Sequence, residues 1–244
     1  MNADRRASFS AMPTIALSKG RICKEAISLL ARADIHLSED PDISRRLSIA
    51  TSHPGVKILI LRAQDVPTFV EHGAADLGIT GKDVLMERDG SGYYEPLDLG
   101  IAPCRLVFAE PIDALSSFSR SRLAMPRVAT KYTRTTRRFF AERGVQAEII
   151  RLYGSMEIAP AAGLADGIVD LVESGKTLAA NGLEVKDVIA GISSRLIVNK
   201  AAMKFRRRQV EDIVEKIARA AAIPSSTSSE DPPAAKSPLE EASS

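Results

Sequence analysis

Cysteine is scarce in this chain of 244 residues: there are two, Cys23 and Cys104. Neither sits in a CxxC or zinc spacing, which leaves no disulfide framework or thiolate metal site and reads as two reduced cytosolic thiols. His36, His53 and His72 stand at no metal-ligand spacing, and no Ser-His-Asp or Cys-His arrangement is suggested, so covalent catalysis is not indicated. No apolar run approaches the roughly 20 residues that a membrane helix needs. Charge of one sign is missing too: 33 basic and 31 acidic side chains leave a net +2, with no electrostatic case for nucleic acid. Arg5-Arg6 lacks the apolar core of an export signal behind it, so the expected location is the cytoplasm.

What is present has the balance of a globular protein, 45% apolar and 26% charged. Its order alternates. "TIAL" (Thr14 to Leu17) reads as a short buried strand, after which Ile22, Ala26, Leu29 and Leu30 recur at helical spacing. "VKILILR" (Val56 to Arg62) is a strand followed by Asp65 as N-cap and Pro67 in the first helical turn. "ADLGIT" (Ala75 to Thr80) is another, with a helix starting near Asp83. "RLVFAE", "PRVATKY", "AEIIRL", "GIVDLV" and "RLIVN" continue the series of strands, and "TRRFFAERG" is an amphipathic helix stopped by Gly144. Asn199 can cap a final helix in which Val210, Ile213, Val214, Ile217 and Ala221 form one apolar stripe.

This alternation predicts an α/β fold with mostly parallel sheets, arranged as two α/β lobes with a cleft between them. Residues 13–101 and 195–222 are expected to form the first lobe, with the last helix returning to it, and residues 102–194 the second. Residues 1–12 are expected to be a disordered extension. The Pro/Ser-rich residues 223–244 are expected to be a disordered tail, too polar to offset their ordering entropy.

In open α/β sheets ligands bind beyond the carboxyl ends of the strands, which singles out four loops. The first is "DLVESGKT", Asp170 to Thr177. Its "GKT" suggests a nucleoside-triphosphate loop, but Asp170 stands where that loop needs its first glycine. The backbone N–H groups around Ser174, Gly175 and Thr177 can instead form an anion nest, while Asp170 accepts from sugar hydroxyls. Acid first and nest second is the order that suits a ribose 5-phosphate; the same residues also read as a helix entry capped by Ser174. Glu157, in "GSMEIAP", is a second candidate acceptor for ribose hydroxyls or a magnesium-bound water, or a helix-start glutamate favoured by the macrodipole. In "LSKGR", Lys19, Gly20 and Arg21 stand at a strand-to-helix turn where cations suit a polyphosphate, with Arg45, Arg46 and Arg62 able to converge on the same anion. In "ADLGITGKD", Asp76, Thr80, Gly81 and Asp83 form a further turn suited to a nucleotide.

Taken together, "ALSKGR", "RAQDVPTFVEHGAADLGITGKDVL", "EPLDLGIAPCR", "RVATKY" and "GSMEIAPAAGLADGIVDLVESGKTLAANGL" resemble the ATP phosphoribosyltransferase family, in order from about Thr14 to about Ala222. The resemblance implies transfer of phosphoribosyl from phosphoribosyl pyrophosphate to N1 of ATP with release of pyrophosphate, the first step of histidine biosynthesis. It implies that Glu157 and Asp170 face the ribose while Ser174, Gly175 and Thr177 hold its 5-phosphate, with Glu173 and Lys176 completing the phosphoribosyl pyrophosphate-binding set. Lys19, Gly20, Arg21, Arg45, Arg62, Asp76, Thr80 and Gly81 then match the side that meets ATP and pyrophosphate, with Asp170, Glu157, Arg62 and Lys19 as the catalytic set. Mg2+ is implied, bound mainly through substrate phosphates. Ser18 and Thr133-Arg134 depart from the family's usual prolines and proline-asparagine pair, which affects loop shape rather than chemistry. The resemblance is to the short form of the family, which implies a homodimer or larger hetero-oligomer with a regulatory subunit similar to histidyl-tRNA synthetase. The rival reading is a solute-binding or effector-sensing module of periplasmic-binding-protein-like architecture, which would release no pyrophosphate.

Overall fold

The structure, a computed structural model, describes residues 13–53, 55–90, 92–112 and 125–223. The segments 1–12 and 224–244, expected to be disordered, lie outside the described residues.

The first sheet is built from β1 (Thr14–Ser18), β2 (Ser48–Ala50), β3 (Lys57–Leu61), β4 (Leu77–Gly81) and β5 (Tyr93–Asp98), with α1 (Arg21–Arg32), α2 (Val66–Glu71) and α3 (Lys82–Met86) between them. The second is built from β6 (Cys104–Pro111), β7 (Arg127–Thr130), β8 (Glu148–Arg151), β9 (Gly167–Val172) and β10 (Leu183–Ile192), with α4 (Thr133–Glu142), a 3-10 turn at Met156–Ile158 and α5 (Lys176–Ala180). The chain then returns through β11 (Ser194–Asn199) to α6 (Lys200–Phe205) and α7 (Arg207–Ala221). Strand order is β2-β3-β1-β4-β11-β5 in the first sheet and β10-β6-β9-β7-β8 in the second.

The parallel pairing read from the sequence holds only at the centre of each sheet. β3, β1 and β4 run parallel, as do β8, β7 and β9. The flanks are antiparallel: β2 on β3, β11 on β4, β5 on β11, β6 on β9 and β10 on β6. Two of these pairings follow from the return of the chain: β11 starts beside Gly81, at the carboxyl end of β4, and so runs antiparallel to β4 and to β5.

Burial follows from the alternation of side chains. All five residues of β1 are buried, with helices on both faces, which is why "TIALS" is a continuous run rather than an alternating one. Ile15, Leu17, Ile58 and Leu77 meet Leu29 and Leu30 of α1 in one core, and Val210, Ile213, Ile217 and Ala220 of α7 close it. Phe108, Phe139 and Phe140 anchor the second sheet, with Phe139 and Phe140 edge to face at 5.2 Å. Asn199 accepts from the Ala202 backbone N–H at 2.7 Å, the cap its position in the sequence suggests. The helix it opens is short, because the chain breaks at Arg206 before α7 begins.

The two crossings between the sheets run side by side. Leu99 N–H donates to the Ser194 carbonyl and Ser194 N–H to the Ile101 carbonyl, each at 3.0 Å. Ala102 there has φ 50, a left-handed conformation unusual for a residue with a Cβ. The Glu25 carboxylate holds it by accepting from its backbone N–H at 2.7 Å.

Candidate functional site

A cleft of about 730 Å³ lies between the carboxyl ends of the two sheets, with walls from both. From the first sheet come Lys19 and Arg21, at the turn from β1 into α1, and Gly81 and Asp83, at the turn from β4 into α3. From the second come Lys131, Tyr132 and Arg134 after β7, Arg151 and Tyr153 around the end of β8, and Leu171 of β9.

Asp170 sits on β9 with 17% of its side chain exposed, and the Lys131 ammonium lies 3.6 Å from its Oδ1. That oxygen is buried and accepts no hydrogen bond. Burial pushes the Asp170 carboxyl above the usual carboxylate range; Lys131 pulls the other way, and the nearby Glu157 charge adds to the rise. Glu157 is half-buried in the 3-10 turn that packs against β9, near enough for its charge to reach Asp170. Its place in the 3-10 turn is fixed by Met156, buried in the second core, and by Ser155, whose φ of 54 is another left-handed, non-glycine conformation. Such conformations persist where surrounding contacts dictate them, and they concentrate at functional sites.

The loop after β9 is exposed at Glu173, Ser174, Lys176 and Thr177. Gly175 opens α5 with φ 75, which a residue bearing a Cβ rarely adopts, and Leu178 is buried beneath. No side chain caps this turn, so Ser174 does not serve as the helix cap that its sequence position allowed. Glu173 forms an ion pair across the cleft with Arg21, which also donates to the Pro103 carbonyl at 3.3 Å.

The first-sheet candidates divide. Lys19, Arg21 and Gly81 line the cleft, and Gly20 is the residue from which α1 starts. Thr80 is fully buried; its hydroxyl donates to the Ala63 carbonyl at 3.2 Å, which shapes the loop whose Ala63 and Gln64 line the cleft. Arg62, beside them, is exposed. Arg45 and Arg46 are exposed in the segment before β2, outside the cleft lining, and Arg46 pairs with Glu39 at 2.8 Å.

Asp76 needs correction. It precedes β4, at the amino end of the sheet, opposite to the cleft. There it accepts from the Thr14 backbone N–H at 2.9 Å and pairs with the almost buried Arg206 at 3.0 Å. Its work is to join β1 to the start of α7. The sequence alone placed it in the ligand-facing turn because it lies only a few residues from Gly81, yet a strand separates the two.

A cross-cleft set of contacts has no forerunner in the sequence reading. The Tyr132 hydroxyl donates to Asp83 Oδ2 at 2.9 Å, both groups buried. Burial first, and then the Asp83 charge, push the Tyr132 phenol well above its ordinary range. A Cβ at position 81 would collide with Asp83 Oδ1, so Gly81 is what admits that carboxylate. Glu87, just past α3, accepts from the Arg134 and Thr135 backbone N–H groups at 3.0 and 2.7 Å and so caps α4 from the opposite lobe. The available signal for this region was position: Lys131 and Tyr132 follow a parallel strand at its carboxyl end.

Among the described residues no group of three or more His, Cys, Asp or Glu side chains could hold a metal ion, and no helix is long and apolar enough to cross a membrane.

The profile of the ATP phosphoribosyltransferase family matches residues 62–219. The ATP phosphoribosyltransferase of Methylococcus capsulatus is 58% identical over 85% of this chain and 95% of its own length. That of Pseudomonas aeruginosa is 56% identical over 84% and 94%. Among solved structures, a chain of the ATP phosphoribosyl transferase (HisG:HisZ) complex from Thermotoga maritima superposes with a TM-score of 0.73 at 32% identity, covering 86% of this chain and 99% of that one. The periplasmic VFT2 domain of Bordetella pertussis BvgS, 11% identical, has a TM-score of 0.53 over 91% of this chain and 97% of its own, a likeness of fold alone. With a family profile across most of its length and relatives above half identity, this chain belongs to the ATP phosphoribosyltransferase family.

Proposed function

We propose that the chain transfers the phosphoribosyl group of phosphoribosyl pyrophosphate to N1 of ATP, releasing pyrophosphate, as the first step of histidine biosynthesis in the cytoplasm. The observation that carries this reading is Asp170: a buried carboxylate oxygen without a hydrogen-bond donor, next to an exposed loop that turns on Gly175, in a chain of this family. A ribose hydroxyl supplies the missing donor, and the backbone N–H groups around Ser174 to Thr177 take the 5-phosphate, aided by Lys176 and by the Ser174 and Thr177 hydroxyls. Glu157 accepts from the second ribose hydroxyl. Lys19, Arg21 and, at the mouth, Arg62 face the polyphosphates from the first lobe, where the Arg21–Glu173 pair must open for a phosphate to replace Glu173.

In the transfer the C1–O bond breaks with its electron pair on the pyrophosphate oxygen. The N1 lone pair forms the new bond to C1, and the adenine then loses a proton to solvent. The sugar passes through an oxocarbenium-like state, so no protein nucleophile is needed. Asp170 and Glu157 stabilise that positive charge, and the cleft holds N1 in line with C1. Magnesium fits this site as a passenger on substrate phosphates, since two carboxylates and no third donor make no cage for it. When bound it neutralises pyrophosphate charge.

The named complex of the Thermotoga maritima relative supports a further part of the proposal, a regulatory subunit resembling histidyl-tRNA synthetase, in a homodimer-based or larger hetero-oligomer. Feedback by histidine then arrives through an interface, as a coupling between two sites. A pyrophosphate-release assay with ATP and phosphoribosyl pyrophosphate tests the reading. Release by this chain, with histidine inhibition appearing only when the partner is added, is expected. No release under any condition returns the chain to the solute-binding reading.

A further inference from the structure

Lys131 was not among the residues expected at the site, yet this cleft-lining residue places its ammonium beside the mostly buried Asp170 carboxylate. β7 and β9 are neighbouring parallel strands with Thr130 opposite Val169, so the next residue of each, Lys131 and Asp170, stand side by side at the carboxyl edge. Lys131 lines the cleft and is about one-third exposed. Its position is set from two sides. The ammonium lies 4.9 Å from the centre of the Tyr132 ring, and Tyr132 is itself tied to Asp83 of the opposite lobe.

The surroundings of Asp170 are asymmetric. The loop after β9 leads into α5, which packs against β10, on the β6–β10 side of Asp170. Lys131 lies on the other side, on β7. A ribose whose hydroxyls meet Asp170 and whose 5-carbon reaches the Ser174–Thr177 loop turns its anomeric carbon away from that loop, towards β7. From this we infer that Lys131 contacts the pyrophosphate leaving group, as the second-lobe counterpart of Lys19 and Arg21. The inference rests on the reading of Asp170 as the ribose acceptor. When a ribose hydroxyl takes over Asp170 Oδ1, the ammonium is released towards the oxygen on which negative charge develops as C1–O breaks. A lysine suits this role, as a compact cation on a flexible stem that can swing from one anion to the next.

The alternative is a purely local one, in which Lys131 only offsets the burial of Asp170. The two separate by ligand. Lys131→Gln and Lys131→Arg are compared with the unaltered full chain in pyrophosphate release, in product inhibition by magnesium pyrophosphate, and in binding of ribose 5-phosphate, with thermal midpoints as the check on folding. The expected result for Lys131→Gln is a kcat lowered and a pyrophosphate inhibition constant raised by at least about tenfold each, the loss of one charge-assisted contact. Ribose 5-phosphate affinity should stay within about twofold, and Lys131→Arg should recover part of the pyrophosphate effect. Two results overturn the inference. One is pyrophosphate inhibition unchanged in Lys131→Gln while only the acid limb of the pH profile moves up, which makes Lys131 a counter-ion of Asp170. The other is equal loss of pyrophosphate and ribose 5-phosphate binding, which makes it structural. Absence of pyrophosphate release by the unaltered chain is a different outcome, since it removes the parent reading itself.

Discussion

Asp170 is held where its charge is costly, and the cost has a sign that can be measured. Burial raises its carboxyl, so the native state favours the protonated form more than the unfolded chain does. Any stability from this group is present below the unfolded carboxylate range and is lost as pH rises through the raised value. Asp170→Asn, neutral at every pH, should therefore melt no lower than the parent at pH 7, while turnover collapses and the acid limb of kcat/KM, displaced upward in the parent, disappears. Lower melting with unchanged turnover per folded molecule would make the residue structural. Thr177 is exposed and sits in the first turn after Gly175. Thr177→Val removes one donor to a dianion, worth roughly 1.5–3 kcal/mol, so phosphoribosyl pyrophosphate should bind about ten- to hundredfold more weakly by calorimetry. Unchanged affinity would take Thr177 out of the site.

Among the elements, α4 has a start that depends on the other lobe. Its own flank offers no side-chain cap, and Glu87 supplies both acceptors from beyond α3. Glu87→Ala should cost about 0.5–2 kcal/mol, the range of a lost cap, and lower the thermal midpoint by a few degrees. Glu87→Gln, which keeps an acceptor but loses the charge, should fall between the two. A midpoint unmoved by either change would show that water replaces the cap. The sequence could not announce this contact, because capping signals are local and Glu87 is distant in the chain from Arg134. The same limit hid the Tyr132–Asp83 bond and misplaced Asp76. Local signals did better: "TIAL", "VKILILR" and "GIVDLV" are strands, each a continuous β-rich run with at least one largely covered face, and Gly175 punctuates its loop as its backbone requires. β5 and β10 carry no clear strand signal in the sequence. Tyr93–Asp98 carries a proline and mixed polarity, and Leu183–Ile192 is an edge strand whose pairing slips past Val185 and Val188, so neither shows a clean alternation.

For the whole molecule, β11 is the feature with the widest reach. It lies between β4 and β5 of the first sheet, yet it follows the entire second sheet in the chain. During synthesis the chain emerges from its amino end, and β5 has no partner in its own sheet until β11 appears. The strands of the second sheet, β6 to β10, are complete before that moment. The younger half of the chain should therefore become protease-resistant first, with the older half waiting as an open β2-β3-β1-β4 sheet that exposes the β4 edge. Ribosome-stalled chains with residues up to about 195 outside the tunnel should yield a protected fragment spanning β6 to β10 under brief proteolysis. Protection of residues 14–98 should appear only once β11 and α7 are also outside. Simultaneous protection of both, or protection of the first sheet before β11 emerges, would contradict this order. A late-arriving interior strand also makes the unfinished β4 edge the place where two nascent copies on one messenger could pair wrongly, each donating its β11 to the other.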